Sequence, residues 1–159
     1  MVNRIIVIVC ALLMMVGMGC KEAPITKEQR EENIREVVFR YMFEHNASEM
    51  QQDAEVYFIA VESRTDPTQD MLKRFKGHKP PVKPVSATTH FGWGGVKGRS
   101  SGKAGIIFTV REIDWISDTQ VLVTGEYFED SESTGRSQYK VLFENEQWVV
   151  TETEMEWIS

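Results

Sequence analysis

Few residues in this chain carry chemistry, and they are scattered. Cys10 and Cys20 both fall within the first twenty residues, so no disulfide can brace the rest of the chain. His45, His78 and His90 stand about 33 and 12 residues apart. They form no i,i+4 pair and have no cysteine neighbour, so no metal site is expected. The stretch 90–105, HFGWGGVKGRSSGKAG, holds six of the eleven glycines. It fails both phosphate-loop patterns: each needs glycine where Lys97 stands, and one also needs Ser or Thr where Ala104 stands. The stretch reads as a loop between strands, or as a flap carrying Phe91 and Trp93 over a ligand. No serine or cysteine nucleophile motif is present, and no cofactor is expected. Acid–base chemistry would fall to Asp114 as a carboxylate of raised pKa, with Tyr41 or Tyr127 as its hydrogen-bond partner. The competing reading makes Tyr41, Trp115 and Tyr127 ordinary core.

Charge is strongly segregated. Lys73, Arg74, Lys76, Lys79, Lys83, Lys97, Arg99 and Lys103 occupy a stretch with no acidic residue. From Glu112 onward there are twelve acids against two bases, Arg136 and Lys140. The basic stretch could attract anionic headgroups or an anionic ligand. Alternatively it packs beside the acidic segment and neutralises it, or is solvated. A net charge of −6 argues against nucleic acid as a partner.

These residues need elements to hold them. Of 159 residues, 42% are hydrophobic and 26% charged, a composition that excludes a wholly disordered chain. Thr26 and Gln29 form a capping box. Behind it Ile34, Val37, Val38, Tyr41, Met42 and His45 share one helical face, widened by Phe39 and Phe43, which predicts a helix over 27–45 ended by Asn46. Residues 46–54 read as a polar loop, and 55–62 as a strand with a short helix as the alternative. Asp66-Pro67 supplies an N-cap and first-turn proline for a second helix over 67–76, closed by Gly77. The proline-rich run after it suits a sheet edge or an extended connection.

Residues 105–116, 119–129, 136–144 and 147–158 read as consecutive antiparallel strands. Within the first of these, Ile106, Phe108 and Val110 share a parity that continues to Glu112 and Asp114, while Ile113 and Trp115 fall on the other. A β-bulge near 110–112 resolves the conflict; without one, two carboxylates face inward. Glu152, Glu154 and Glu156 alternate along the last strand and read as a solvated face that discourages edge pairing. The expected fold is α+β: a long N-terminal helix packed on a bent antiparallel sheet, cone-like, with a short second helix.

Ahead of this domain, Met1 and Arg4 precede fifteen apolar or glycine residues, Ile5–Gly19, and the run ends on Cys20. A membrane span needs about 20 apolar residues, so this run is short for one and suits a signal sequence. It resembles a bacterial lipoprotein signal peptide, with Gly19 before a cysteine that takes the acyl groups. Gly17 stands where that pattern carries an aliphatic residue. The resemblance implies lipidation of Cys20, a spacer over 21–25 and one domain over 26–159, anchored in the cell envelope. Lys21 implies sorting to the outer membrane if the source has two membranes. An uncleaved anchor and a plain secretory signal are the alternatives.

The order helix, strand, short helix, antiparallel strands resembles the nuclear-transport-factor-2-like superfamily, a bent sheet closed as a cone around its helix. Trp115-Ile-Ser-Asp-Thr, Gly125-x-Tyr127, Trp148-x-Val150 and Trp157-Ile-Ser159, together with the segment 66–86, resemble small uncharacterised bacterial envelope proteins. The expectation is a non-enzymatic module that binds a protein partner or an anionic ligand at the membrane; immunity against a toxin is one concrete form. A small-molecule isomerase or dehydratase using the cone, and an assembly factor docking its basic face on lipid, are the alternatives.

Overall fold

A computed structural model describes residues 25–45, 51, 53–89 and 95–158. Cys20, the signal-like run, Asn46, His90, Phe91 and Trp93 lie outside the described residues. The first helix, α1 (Lys27–His45), starts where the capping box requires. The Gln29 amide donates to Thr26 Oγ1 at 3.2 Å, and the Thr26 amide donates to Gln29 Oε1 at 2.9 Å. Ile34, Val38, Phe39, Met42 and Phe43 are its buried stripe. Its outer face is laced by the i,i+4 pairs Glu31–Arg35 and Glu36–Arg40.

The sheet is built from β1 (Val56–Val61), β2 (Val82–Pro84), β3 (Val96–Lys97), β4 (Ala104–Ser117), β5 (Gln120–Phe128), β6 (Thr134–Glu144) and β7 (Gln147–Ile158). Its order is β2-β1-β4-β5-β6-β7, with β3 on β4. The last four strands are antiparallel hairpin neighbours, as their alternation predicts. The sheet as a whole is mixed, however, because β1 runs parallel to both β2 and β4. The excursion from Glu62 to Lys103 returns the chain to β4 in the direction β1 already had. Parallel strands are buried on both faces, and β1 is: its first five residues are all buried.

The sheet curls around α1 without closing, and the helix touches both β4 and β7. Two cores result. The inner one packs α1 against Tyr57, Phe108, Val121, Val123 and Val141. The outer one covers the back of β1 and β4 with Val85 and Val96 over Phe58, Ala60 and Ile107.

The expected bulge is present. Val110 pairs with Gly125 and Glu112 with Thr124, leaving Arg111 as the extra residue. Ile113 and Trp115 therefore join the inner core, and Glu112 and Asp114 are exposed. The second helix, α2 (Gln69–Arg74), is shorter than predicted, and its cap is Thr68, whose hydroxyl accepts from the Met71 amide at 3.1 Å. Asp66 instead accepts from the Ser86 amide at 2.8 Å, tying the approach to α2 to the segment after β2. Gly77, at φ +88°, ends the turn beyond the helix in the left-handed region that glycine adopts most easily.

Candidate functional site

The three residues proposed for acid–base chemistry do not converge. Asp114 pairs across to Leu122 on the outer face of the sheet and is exposed. Tyr127 lies on the opposite face, in the inner core. Burial, and then the Glu129 carboxylate, raise the pKa of its phenol. Tyr41 stacks on His45 at 4.2 Å and meets the Tyr139 ring edge-on at 5.7 Å. Burial pushes the Tyr139 hydroxyl up to about 12, so it stays protonated through the physiological range. Strand parity and the bulge place the carboxylate outside and the two phenols inside.

Half of the basic stretch is engaged by its own neighbours. Arg74 reaches back to α1, donating to Asn33 at 2.7 Å and to Glu36 at 3.0 Å, with Glu32 at 3.4 Å. Lys73 pairs with Asp70 at 2.7 Å, and Lys103 with Glu55 at 3.1 Å. Arg99 donates to the Thr88 carbonyl at 3.1 Å. Lys76, Lys79, Lys83 and Lys97 make no ion pair among the described residues. Neutralisation by the acidic strands is not what is found. Those strands partner themselves: Glu126 holds Arg111 at 3.0 Å and Arg136 at 2.7 Å, and Lys140 meets Glu152 at 2.8 Å.

His78 is core-like, packed on Phe43 at 5.0 Å with its Nδ1 2.7 Å from the Pro80 carbonyl. Among the described residues no cluster of His, Cys, Asp and Glu could hold a metal ion. No helix among them is long and apolar enough to cross a membrane.

What the structure does bring together is a groove that no motif announced. It has a volume of about 490 Å³ and runs between α1 and the two hairpin turns at that end of the sheet. One wall is the helical stripe Arg30, Asn33, Val37 and Arg40, at spacings of three and four residues. The floor is Trp148, 7% exposed, and Phe143, 41% exposed. Their rings are 5.2 Å apart because they face each other across the β6–β7 hairpin. That hairpin turns on Asn145 and Glu146, both at positive φ, the conformation of the tightest two-residue turns. Asp118 and Thr119, in the β4–β5 turn, form the opposite rim, and Ile25 stands at the mouth, 63% exposed.

Arg30 is the unusual side chain here. Its guanidinium lies over the Trp115 ring at 5.0 Å. Trp115 in turn meets Trp148 edge-on at 5.7 Å. The Arg30 Nε is buried and has no hydrogen-bond partner. Its neighbour Glu31 is taken by Lys27 and Arg35, and Glu36 by Arg40 and Arg74. Asp118 lines the same groove and forms no ion pair with Arg30. Arg30 thus has no carboxylate partner among the described residues. A second opening of about 540 Å³ continues past it, flanked by Lys27, Trp115 and Ile116.

The groove lining includes neither histidine nor cysteine among the described residues. It offers an apolar floor, hydrogen-bonding walls and one cation without a counter-charge, which suits binding. The one sequence hint was that Trp115 and Trp148 recur in the C-terminal pattern of aromatic residues. Comparison with protein-family models, with curated proteins and with solved structures finds no match for this chain.

Proposed function

We propose that this chain is a bacterial envelope lipoprotein, held at the membrane by acyl groups on Cys20, that acts as a non-enzymatic binding module. The observation that carries the binding role is the groove floored by Trp148 and Phe143 beside the unpaired Arg30. Aromatic residues and arginine in a partly open cleft are what binding hot spots are made of. The groove also starts at Ile25, only five positions after Cys20 (25 − 20 = 5), a reach of at most about 18 Å even fully extended. A lipid on Cys20 would therefore keep the groove close to the bilayer.

The nuclear-transport-factor-2-like resemblance fits this reading as an open cone whose interior is filled by α1. The isomerase or dehydratase alternative loses its proposed constellation, since Asp114 and Tyr127 occupy opposite faces of the sheet. The test is the mass of the mature N-terminal peptide from native membranes, beside Cys20→Ser. A diacylglyceryl-modified Cys20, absent from the variant, is the expected result. An unmodified or uncleaved N-terminus would overturn the anchored reading.

A further inference from the structure

We infer that the α1 groove is a site for a single-chain amphiphile with a carboxylate head, a free long-chain fatty acid in chemical class. The inference rests on the binding reading above and names its ligand.

The argument begins with the unmatched cation. A guanidinium that lines the groove and makes no ion pair among the described residues retains donors on its outer nitrogens that an anion would satisfy. Arg30 cannot shed its charge by losing a proton, so only an acceptor relieves it. Contact with the Trp115 ring holds the guanidinium beside the groove, so its donors are already in place when a carboxylate arrives.

Immediately beside this head site, Val37, Phe143 and Trp148 supply one row of apolar surface. From Arg30 to Arg40 the helical wall spans ten residues, about 15 Å at the α-helical rise. One row of that length takes the greater part of one such chain laid along the helix, with its head at Arg30. The other charges on the rim do not compete for this place. Glu36 is already held by two arginines, and Asp118 and Glu146 sit on exposed turns where water screens them. The half-exposed Phe143 is the surface that a tail would cover.

The experiment uses the full mature protein, reconstituted in phosphatidylcholine nanodiscs. The probes are a photoactivatable diazirine hexadecanoic acid, its methyl ester, and a diazirine phosphatidic acid. We expect the free acid to label peptides covering residues 25–40 and 142–148, with the ester labelling about tenfold less, the loss of one charge-assisted interaction. Arg30→Gln should reduce acid labelling about tenfold, Arg30→Lys should retain most of it, and Phe143→Glu should abolish it, with far-UV circular dichroism unchanged in all three.

Equal labelling by acid and ester, or labelling indifferent to Arg30→Gln, would overturn the inference. So would labelling of the groove by phosphatidic acid alone, which would make it a membrane-docking surface. Failure of the anchor on Cys20 would show separately, in the N-terminal mass, and would leave these results standing.

Discussion

Along α1, the residues from Phe39 to Phe43 and those from Arg30 to Val37 meet the same sheet in different ways. In the C-terminal half the buried side chains Phe39, Met42 and Phe43 make closed, apolar contacts, while Arg40 points out into the wall of the groove. The Phe43 ring lies 5.0 Å from Tyr57, 5.1 Å from Phe108 and 5.6 Å from Phe75, and Phe39 meets Phe75 edge-on at 6.2 Å. In the N-terminal half Ile34 is fully buried, but the residues on one side of it are Arg30, Asn33 and Val37, and they open onto a groove. Packing at one end leaves no room for a ligand, and an unmatched charge at the other invites one. The difference lies in what the sheet presents. Near Phe43 it offers the straight first half of β4 and the doubly buried β1. Near Arg30 it offers strand ends and two hairpin turns, which cannot close over the helix.

This contrast can be broken or sharpened by substitution. Phe43→Ala should be the most damaging change, costing about 3–5 kcal/mol as a buried aromatic is replaced by a cavity. Urea unfolding should show it as a lowered midpoint. Gly125→Ala comes next. Its added Cβ would lie 2.8 Å from the Tyr139 ring and 3.1 Å from Met42 Sδ, so overpacking at the closed end should cost about 1–3 kcal/mol.

Thr26→Ala acts on the open end, removing the capping box for about 1 kcal/mol. Hydrogen exchange should quicken at the first amides of α1 while the Phe39–Phe43 amides stay protected.

A smaller effect should appear with pH. Burial raises the pKa of the Glu129 carboxyl above its ordinary 4.5, against the opposing pull of the Ser133 hydroxyl at 2.6 Å. The folded chain then holds a proton that the unfolded chain has already lost, so stability rises as pH falls from the folded pKa to the unfolded one. Glu129→Gln should flatten that rise in urea midpoints measured across the acidic range. Asp114→Asn should change stability by less than about 0.5 kcal/mol, as an exposed substitution with no ion pair to lose among the described residues. A large loss there would place the carboxylate in a role its outward position does not provide.

Much of the fold was legible because its signals are local. The capping box, the stripe from Ile34 to Phe43 and the alternation in 119–129 and 136–144 each lie within one element. Even the bulge was readable, as a clash of parity between Val110 and Trp115. The parallel pairing of β1 was not, since a continuous apolar run such as VYFIAV does not reveal which way its neighbours run. Nor was the cap at Thr68, since Asp66-Pro67 carries the N-cap signal in the sequence while in the fold the Asp66 carboxylate accepts from the Ser86 amide. The groove was hidden for a related reason. Arg30, Trp115, Phe143 and Trp148 belong to four elements, and nothing in their spacing along the chain declares that they meet. Nor could the partners within the basic stretch be read, because charge along a sequence carries no record of pairing: Arg74 reaches back to α1.

Arg111 has a consequence for how this chain can change over generations. Because it is the one residue left out of the ladder between Val110 and Glu112, the segment from Glu112 to Trp115, up to the second register shift before Ser117, is written in a phase that its presence makes correct. Deleting it would rotate that whole segment by one face, turning Glu112 and Asp114 toward the helix and Ile113 and Trp115 toward water. A three-nucleotide loss at this codon would act as four simultaneous substitutions, and it would remove the aromatic plate on which Arg30 rests. Deletions that a surface loop would tolerate should therefore be scarce at this position in any descendant that keeps the groove.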